Sequence, residues 1–158
     1  MNSKFKFITY KIDTMHFNMH KNVNLLLLNQ SFDPEAFKVN ISFRNPIFAQ
    51  KENVYIAGME FDIILPVKIE NSDEIINLID VKLGIAGAFQ TESGRLSNDI
   101  EENFIKIHTH ALLVPFARSA ITTIISTSGL GNFLLPLFNI HELAKAAAKD
   151  LIVEELKA

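Results

Sequence analysis

Residues 102–143 read ENFIKIHTHALLVPFARSAITTIISTSGLGNFLLPLFNIHEL, and this stretch decides the fold. Counting from just before it, Ile100, Phe104, Ile107, Ala111, Val114, Ile121 and Ile125 fall at helical spacing. A second apolar stripe, Ile105, Leu112, Leu113, Phe116, Ala120 and Ile124, runs beside the first. A helix apolar over that much of its girth is buried on more than one side. One side is expected to cover a sheet and the other to meet a second copy of the chain. Pro115 lacks the N–H that a helix interior needs and clashes with the preceding turn, costing about 3 kcal/mol, so a kink is expected there.

The ends of this helix carry their own signals. Asn98 is placed to cap its start, with Glu101 three residues on and acids in the first turn. Thr127-Ser128-Gly129 ends it, glycine being suited to a left-handed cap. An apolar loop follows. A second helix opens at Asn139 with Glu142 three residues later, in the manner of a capping box, and is expected to end near Leu156.

Upstream, the period changes from helical to alternating. Residues 4–12, KFKFITYKI, and residues 38–43, KVNISF, are patterned as strands. Residues 55–68 are β-rich, with Phe61, Ile63, Leu65 and Val67 on one face. Residues 75–90 give a fourth strand in which Gly84 and Gly87 mark a bulge or a close approach of another backbone. Turn residues separate them at Ser31-Phe32-Asp33-Pro34, Asn45-Pro46 and Glu70-Asn71-Ser72-Asp73. The expected fold is α+β: a four-stranded antiparallel sheet with a long kinked helix, a crossover loop and a second helix on one face. One domain, 1–158, is expected, its sheet over about 4–90 and its helix–loop–helix over about 98–157.

Composition narrows the chemistry. The net charge of −3 and the scattered Lys and Arg argue against a nucleic-acid surface. The chain has no cysteine, which excludes disulfides, thiolate metal sites and thiol nucleophiles. His16 and His20 could share a metal only on a helix, and the glutamate of an HExxH motif is absent. His108 and His110 lie about 200° apart around a helix and cannot hold one ion together. Gly129-Leu130-Gly131 follows a helix rather than a strand, so it is no phosphate loop. No nucleophile elbow or dinucleotide fingerprint is present. No catalytic residue, metal or cofactor is expected, and nothing in the chain looks like an enzyme.

The loop is where the residues point to binding. It places Leu130, Phe133, Leu134, Leu135, Leu137 and Phe138 in one non-repeating segment. They either tuck into the domain's own core or wall an apolar groove, and exposed patches of this kind mark binding sites.

The segment HALLVPFARSAITTIISTSGLGNFLLPLFNIHEL closely resembles the helix–crossover loop–helix part of SecB, the bacterial protein-export chaperone family. The matching marks are Val114-Pro115-Phe116-Ala117-Arg118, Ile121-Thr122, Ser128-Gly129, Pro136 and Asn139. Weaker collinear likeness extends over residues 12–17, 55–67 and 78–89. The resemblance implies dimers built through sheets and long helices, two of which pack into a homotetramer. It implies a holdase that keeps unfolded preproteins in apolar grooves and passes them to the SecA translocation motor. Phe133, Leu134, Leu135, Leu137, Phe138, Ile140 and Leu143 are then the client-binding residues. Asp13, Leu78 and Asp80 match the face that docks SecA in the family. The acidic family tail is replaced by IVEELKA, and fewer acids attract a basic partner less. The alternatives are a SecB-like chaperone dedicated to one client, such as an antitoxin, and a non-chaperone assembly module. With no signal peptide and no apolar run of membrane length, a cytoplasmic location without direct membrane insertion is expected.

Overall fold

The computed structural model describes residues 5–21, 36–68, 73–92, 94–130, 135 and 139–156. The turn residues at 31–34 and 70–72 lie outside them. Six strands form one sheet: β1 (Phe5–Met19), β2 (Lys38–Phe43), β3 (Ile47–Ala49), β4 (Val54–Lys68), β5 (Ile75–Thr91) and β6 (Glu154–Leu156). Their order is β1-β5-β4-β3-β6, with β2 also paired to β4. The long helix α1 spans Asn98–Leu130, and the short helix α2 spans Ile140–Ala148.

The four-stranded antiparallel expectation is corrected to a mixed sheet of six. The strand expected at 38–43 is β2, and an unexpected short strand, β3, follows it along the same edge of β4 after a break at which the pairing slips between Phe43–Met59 and Ile47–Ile56. Pro46 sits at the break and has no N–H to give a ladder. At the other end, α2 stops at Ala148 instead of continuing to Leu156. The β-branched pair Ile152-Val153 follows a turn closed by Asp150 N–H to the Ala147 carbonyl, 3.0 Å, and leads into β6. Strand β6 pairs with β3 in parallel.

Strand β1 holds its apolar face over 15 residues by means of two bulges, between Phe7 and Thr9 and between Ile12 and Thr14. Each inserts one residue. Phe7, Tyr10, Ile12, Met15 and Phe17 therefore fall opposite Phe89, Gly87, Ile85, Leu83 and Val81, all on the helix-facing side. On β4, Tyr55, Ala57, Met59, Phe61, Ile63 and Leu65 alternate into the same layer and are buried.

Helix α1 closes that layer with Ile105, Leu113, Ala117, Ile121 and Ile125, all fully buried. Each large aliphatic side chain so buried contributes about 1.5–3 kcal/mol of transfer free energy. Gly87 permits this approach: a Cβ there would stand 2.7 Å from Leu113 Cδ2. Two of the expected helix positions face outward instead, Ala111 and Leu112. The residues 109–125 keep α-helical geometry through Pro115, while the wide, π-type turns lie on either side, at Glu101–His108 and Ser126–Leu130. The cap at the start is Ser97, one residue before Asn98. Gly129 adopts φ 97°, as a left-handed terminator requires, and Asn139 caps α2 by accepting from Glu142 N–H at 3.2 Å.

Candidate functional site

The apolar residues expected to bind a client divide sharply. Leu135 is fully buried and belongs to the main core, where it meets the layer containing Ile121, Ile125 and Leu130. Its carbonyl accepts from Arg118 Nη2 at 3.1 Å, which ties Leu135 to the helix. Ile140 is also core. Leu143 is 44% exposed on α2 and remains open to a ligand. Phe133, Leu134, Leu137 and Phe138 lie outside the described residues.

A second apolar surface lies where β1 passes under α1. Tyr10, Ile12 and Met15 from the strand face Pro115, Phe116, Ala120 and Ile124 from the helix across a groove of about 540 Å³. Tyr10 stacks on Phe116 with ring centroids 4.3 Å apart. Met15 is 47% exposed and Leu112 on the helix 45%. The second helical stripe signalled half of this groove. The strand half was hidden because the β1 bulges shift which residues share a face.

The opposite face of the sheet is charged. Asp13 accepts from Arg44 through both carboxylate oxygens, at 2.6 and 2.9 Å, and Arg44 Nη2 also reaches Glu60 at 3.2 Å. The Arg44 side chain lies over Gly58 and Gly84, where any Cβ would collide with it. Its guanidinium holds the Asp13 carboxyl below the usual carboxylate range, chiefly through these hydrogen bonds. Asp80 stands 3.7 Å from Lys82, which is also 3.8 Å from Asp62. Leu78, the third residue expected on this face, is fully buried at the irregularity where β4 and β5 lose register. It offers no surface to a partner.

Among the described residues no group of three or more His, Cys, Asp or Glu side chains could hold a metal ion. His16 lies in β1, with His20 just beyond the strand's end, where helical i, i+4 geometry does not exist. His110 is buried, with Nδ1 3.0 Å from the Lys106 carbonyl and the ring edge-on to Phe43. Burial pushes its pKa down to about 4, against an ordinary 6.5. His108 stacks on His141 of α2 at 5.2 Å between ring centroids.

A buried polar knot fixes the start of α1 to the sheet. Tyr55 donates its hydroxyl hydrogen to the Glu101 carboxylate and accepts from Leu96 N–H at 2.9 Å. Arg95 grips both oxygens of Glu101, at 2.7 and 3.0 Å, and reaches Glu155 of β6 with Nη1 at 2.7 Å. Burial and the Glu101 carboxylate both push the Tyr55 hydroxyl's pKa upward.

No family model and no curated protein matches the chain. Among solved structures, it is similar to the Mycobacterium tuberculosis Rv1957 SecB-like chaperone in complex with a ChAD peptide from the Rv1956 HigA1 antitoxin. That likeness has a TM-score of 0.59 at 8% identity, over 86% of this chain and 91% of that one. A protein of unknown function from Streptococcus agalactiae aligns at a TM-score of 0.38 and 10% identity, over 84% of this chain and 97% of that one, too distant to carry weight. The fold of this chain is SecB-like.

Proposed function

We propose that this protein is a SecB-like chaperone that holds an unfolded segment of a client, and that it is dedicated to one client of the antitoxin kind. The observation that carries this reading is the fold it shares with a SecB-like chaperone bound to an antitoxin peptide. The surfaces support it: the groove of Tyr10, Ile12, Met15, Phe116 and Ile124, whose polar lining is limited to Ser119, Thr123 and the Tyr10 hydroxyl, and the exposed Leu143 offer mainly apolar area. Such surfaces accept extended chains because burial is non-directional.

Hand-off to SecA draws less support. Asp13 is already engaged by Arg44, Asp80 shares Lys82, and Leu78 is inside the core. A basic partner meets four acids, Asp13, Glu60, Asp62 and Asp80, half offset by Arg44 and Lys82, and steering by the field is reduced accordingly. The homotetramer expected from the resemblance belongs to the same proposal, with the long edge of β1 that is unpaired among the described residues and the outward face of α1 as the joining surfaces. Such an edge is open to a further strand.

The experiment is a panel. Suppression of aggregation is measured for several unrelated denatured proteins and for a set of antitoxins, together with binding to the SecA C-terminal segment. The expected result is strong suppression for one client, weak suppression for the rest and no SecA binding. Broad suppression with SecA binding would transfer the reading to protein export. No suppression for any client, together with no binding of an apolar dye, would leave only an assembly module.

A further inference from the structure

Strand β6 is held at the sheet edge in the way an external peptide would be. Its ladder to β3 is three residues long, with Ile47, Phe48 and Ala49 opposite Glu154, Glu155 and Leu156. Backbone anchors flank it: Glu154 N–H to the Pro46 carbonyl at 2.8 Å and Gln50 N–H to the Leu156 carbonyl at 3.1 Å. Ile152 N–H donates to Asn45 Oδ1 at 3.0 Å. Among the described residues two side chains of this segment are engaged. Val153 packs against the cluster of Phe48, Tyr55 and Ala57, and Glu155 accepts from Arg95. Ile152 is 67% exposed and Leu156 51%.

The seat beneath is built independently of β6. Arg95 is held from its other side by the buried Glu101, which Tyr55 fixes in turn. The guanidinium therefore keeps its direction when Glu155 leaves, with Nη1 still aimed at the edge. Phe48 and Tyr55, whose tilted rings lie 4.7 Å apart between centroids, likewise belong to the sheet and not to the strap. What this edge reads is an extended backbone, one apolar side chain, and a carboxylate two residues further on.

Resting on the chaperone reading, we propose that the outer edge of β3 is a second client-docking surface, where an extended client segment of the pattern apolar-x-acid adds parallel to β3 in place of β6. Strand addition of this kind takes affinity from main-chain hydrogen bonds and selectivity from alternate side chains. Strand β6 is then a tethered competitor. Its attachment gives it a high effective concentration at the edge, so a short ladder suffices to keep the edge closed. Apparent client affinity falls by the fraction of time the edge is open.

The test exploits a chain without cysteine. Ala49→Cys with Leu156→Cys, a directly paired position, locks β6 when oxidised and frees it when reduced, the reduced form being its own folding control. Glu155→Lys loosens β6 by a separate route. Two probes are used: a labelled peptide Leu-Ile-Val-Glu-Glu-Leu, and a reduced, carboxymethylated protein that cannot fold. The peptide is expected to bind the Glu155→Lys chain about tenfold tighter than the wild-type chain, as for an edge open about a tenth of the time. The oxidised pair should bind neither the peptide nor, by about the same factor, as much unfolded protein as its reduced form. Peptide binding equal in oxidised and reduced forms overturns the proposal. If every form holds the unfolded protein equally well, the edge plays no part and the chaperone reading stands; if no form holds it, both fall.

Discussion

His110 and Tyr55 show how single buried polar groups set the conditions under which this fold exists. The folded pKa of His110, about 4, lies below its ordinary 6.5, so between those values the unfolded chain takes up a proton that the folded chain refuses. The stability it permits is full above about pH 6.5, is lost as pH falls from there towards 4, and is level below. The loss amounts to about 3 kcal/mol over that window. Denaturant titrations at pH 7.5 and 4.5 should show it, and His110→Asn should remove most of the difference. Asp13 acts lower, because Arg44 holds its pKa beneath the normal carboxylate value and its contribution fades only as pH falls through that depressed value. Tyr55→Phe leaves the Glu101 carboxylate and Leu96 N–H each short of a partner in a buried place. A loss of about 1–3 kcal/mol is expected, measured as a lower denaturation midpoint with an unchanged slope.

At the scale of elements, the loop between α1 and α2 separates core from site. Leu135→Ala should cost about 2–5 kcal/mol, because Leu135 is fully enclosed and the space it leaves cannot collapse freely. Leu143→Ala should change stability by less than about 0.5 kcal/mol and weaken client binding, which calorimetric titration against a client would separate from unfolding. The helical spacing in the sequence carried the existence of α1, but its buried face draws Ile105 and Leu113 from one expected stripe and Ile121 and Ile125 from the other. The helix caps at Gly129 and Asn139 were legible because both rest on local chemistry. Three features were not. The bulges of β1 depend on pairing with β5, and nothing within FKFITYKIDTMHF announces them. The burial of Leu78 follows from the irregularity opposite Pro66, again a matter of pairing. The C-terminal segment resembled a helix until Asn45 and Pro46, more than a hundred positions away, supplied partners for β6. Arg118 stood out as a mark of the resemblance, yet its hold on the Leu135 carbonyl could not be read without the fold.

At the scale of the molecule, the described strands leave the sheet a long open edge at β1 and a shorter one along β2, while β6 covers the edge of β3. Tyr10, Met15 and Leu112 make the β1 side apolar as well as open. If copies of the chain join there, Met15→Glu with Leu112→Glu should shift sedimentation from oligomer to monomer while the circular dichroism of the sheet persists. An oligomer that survives both charges would place the joint elsewhere. Whether the apolar surfaces serve an unfolded client is decided by titration calorimetry. One client is titrated into this protein twice, once folded and once in a permanently unfolded form, at several temperatures. Binding of the unfolded form alone is expected, with a negative heat-capacity change that reports burial of apolar surface. Equal binding of the folded form, or no binding of either, would contradict it.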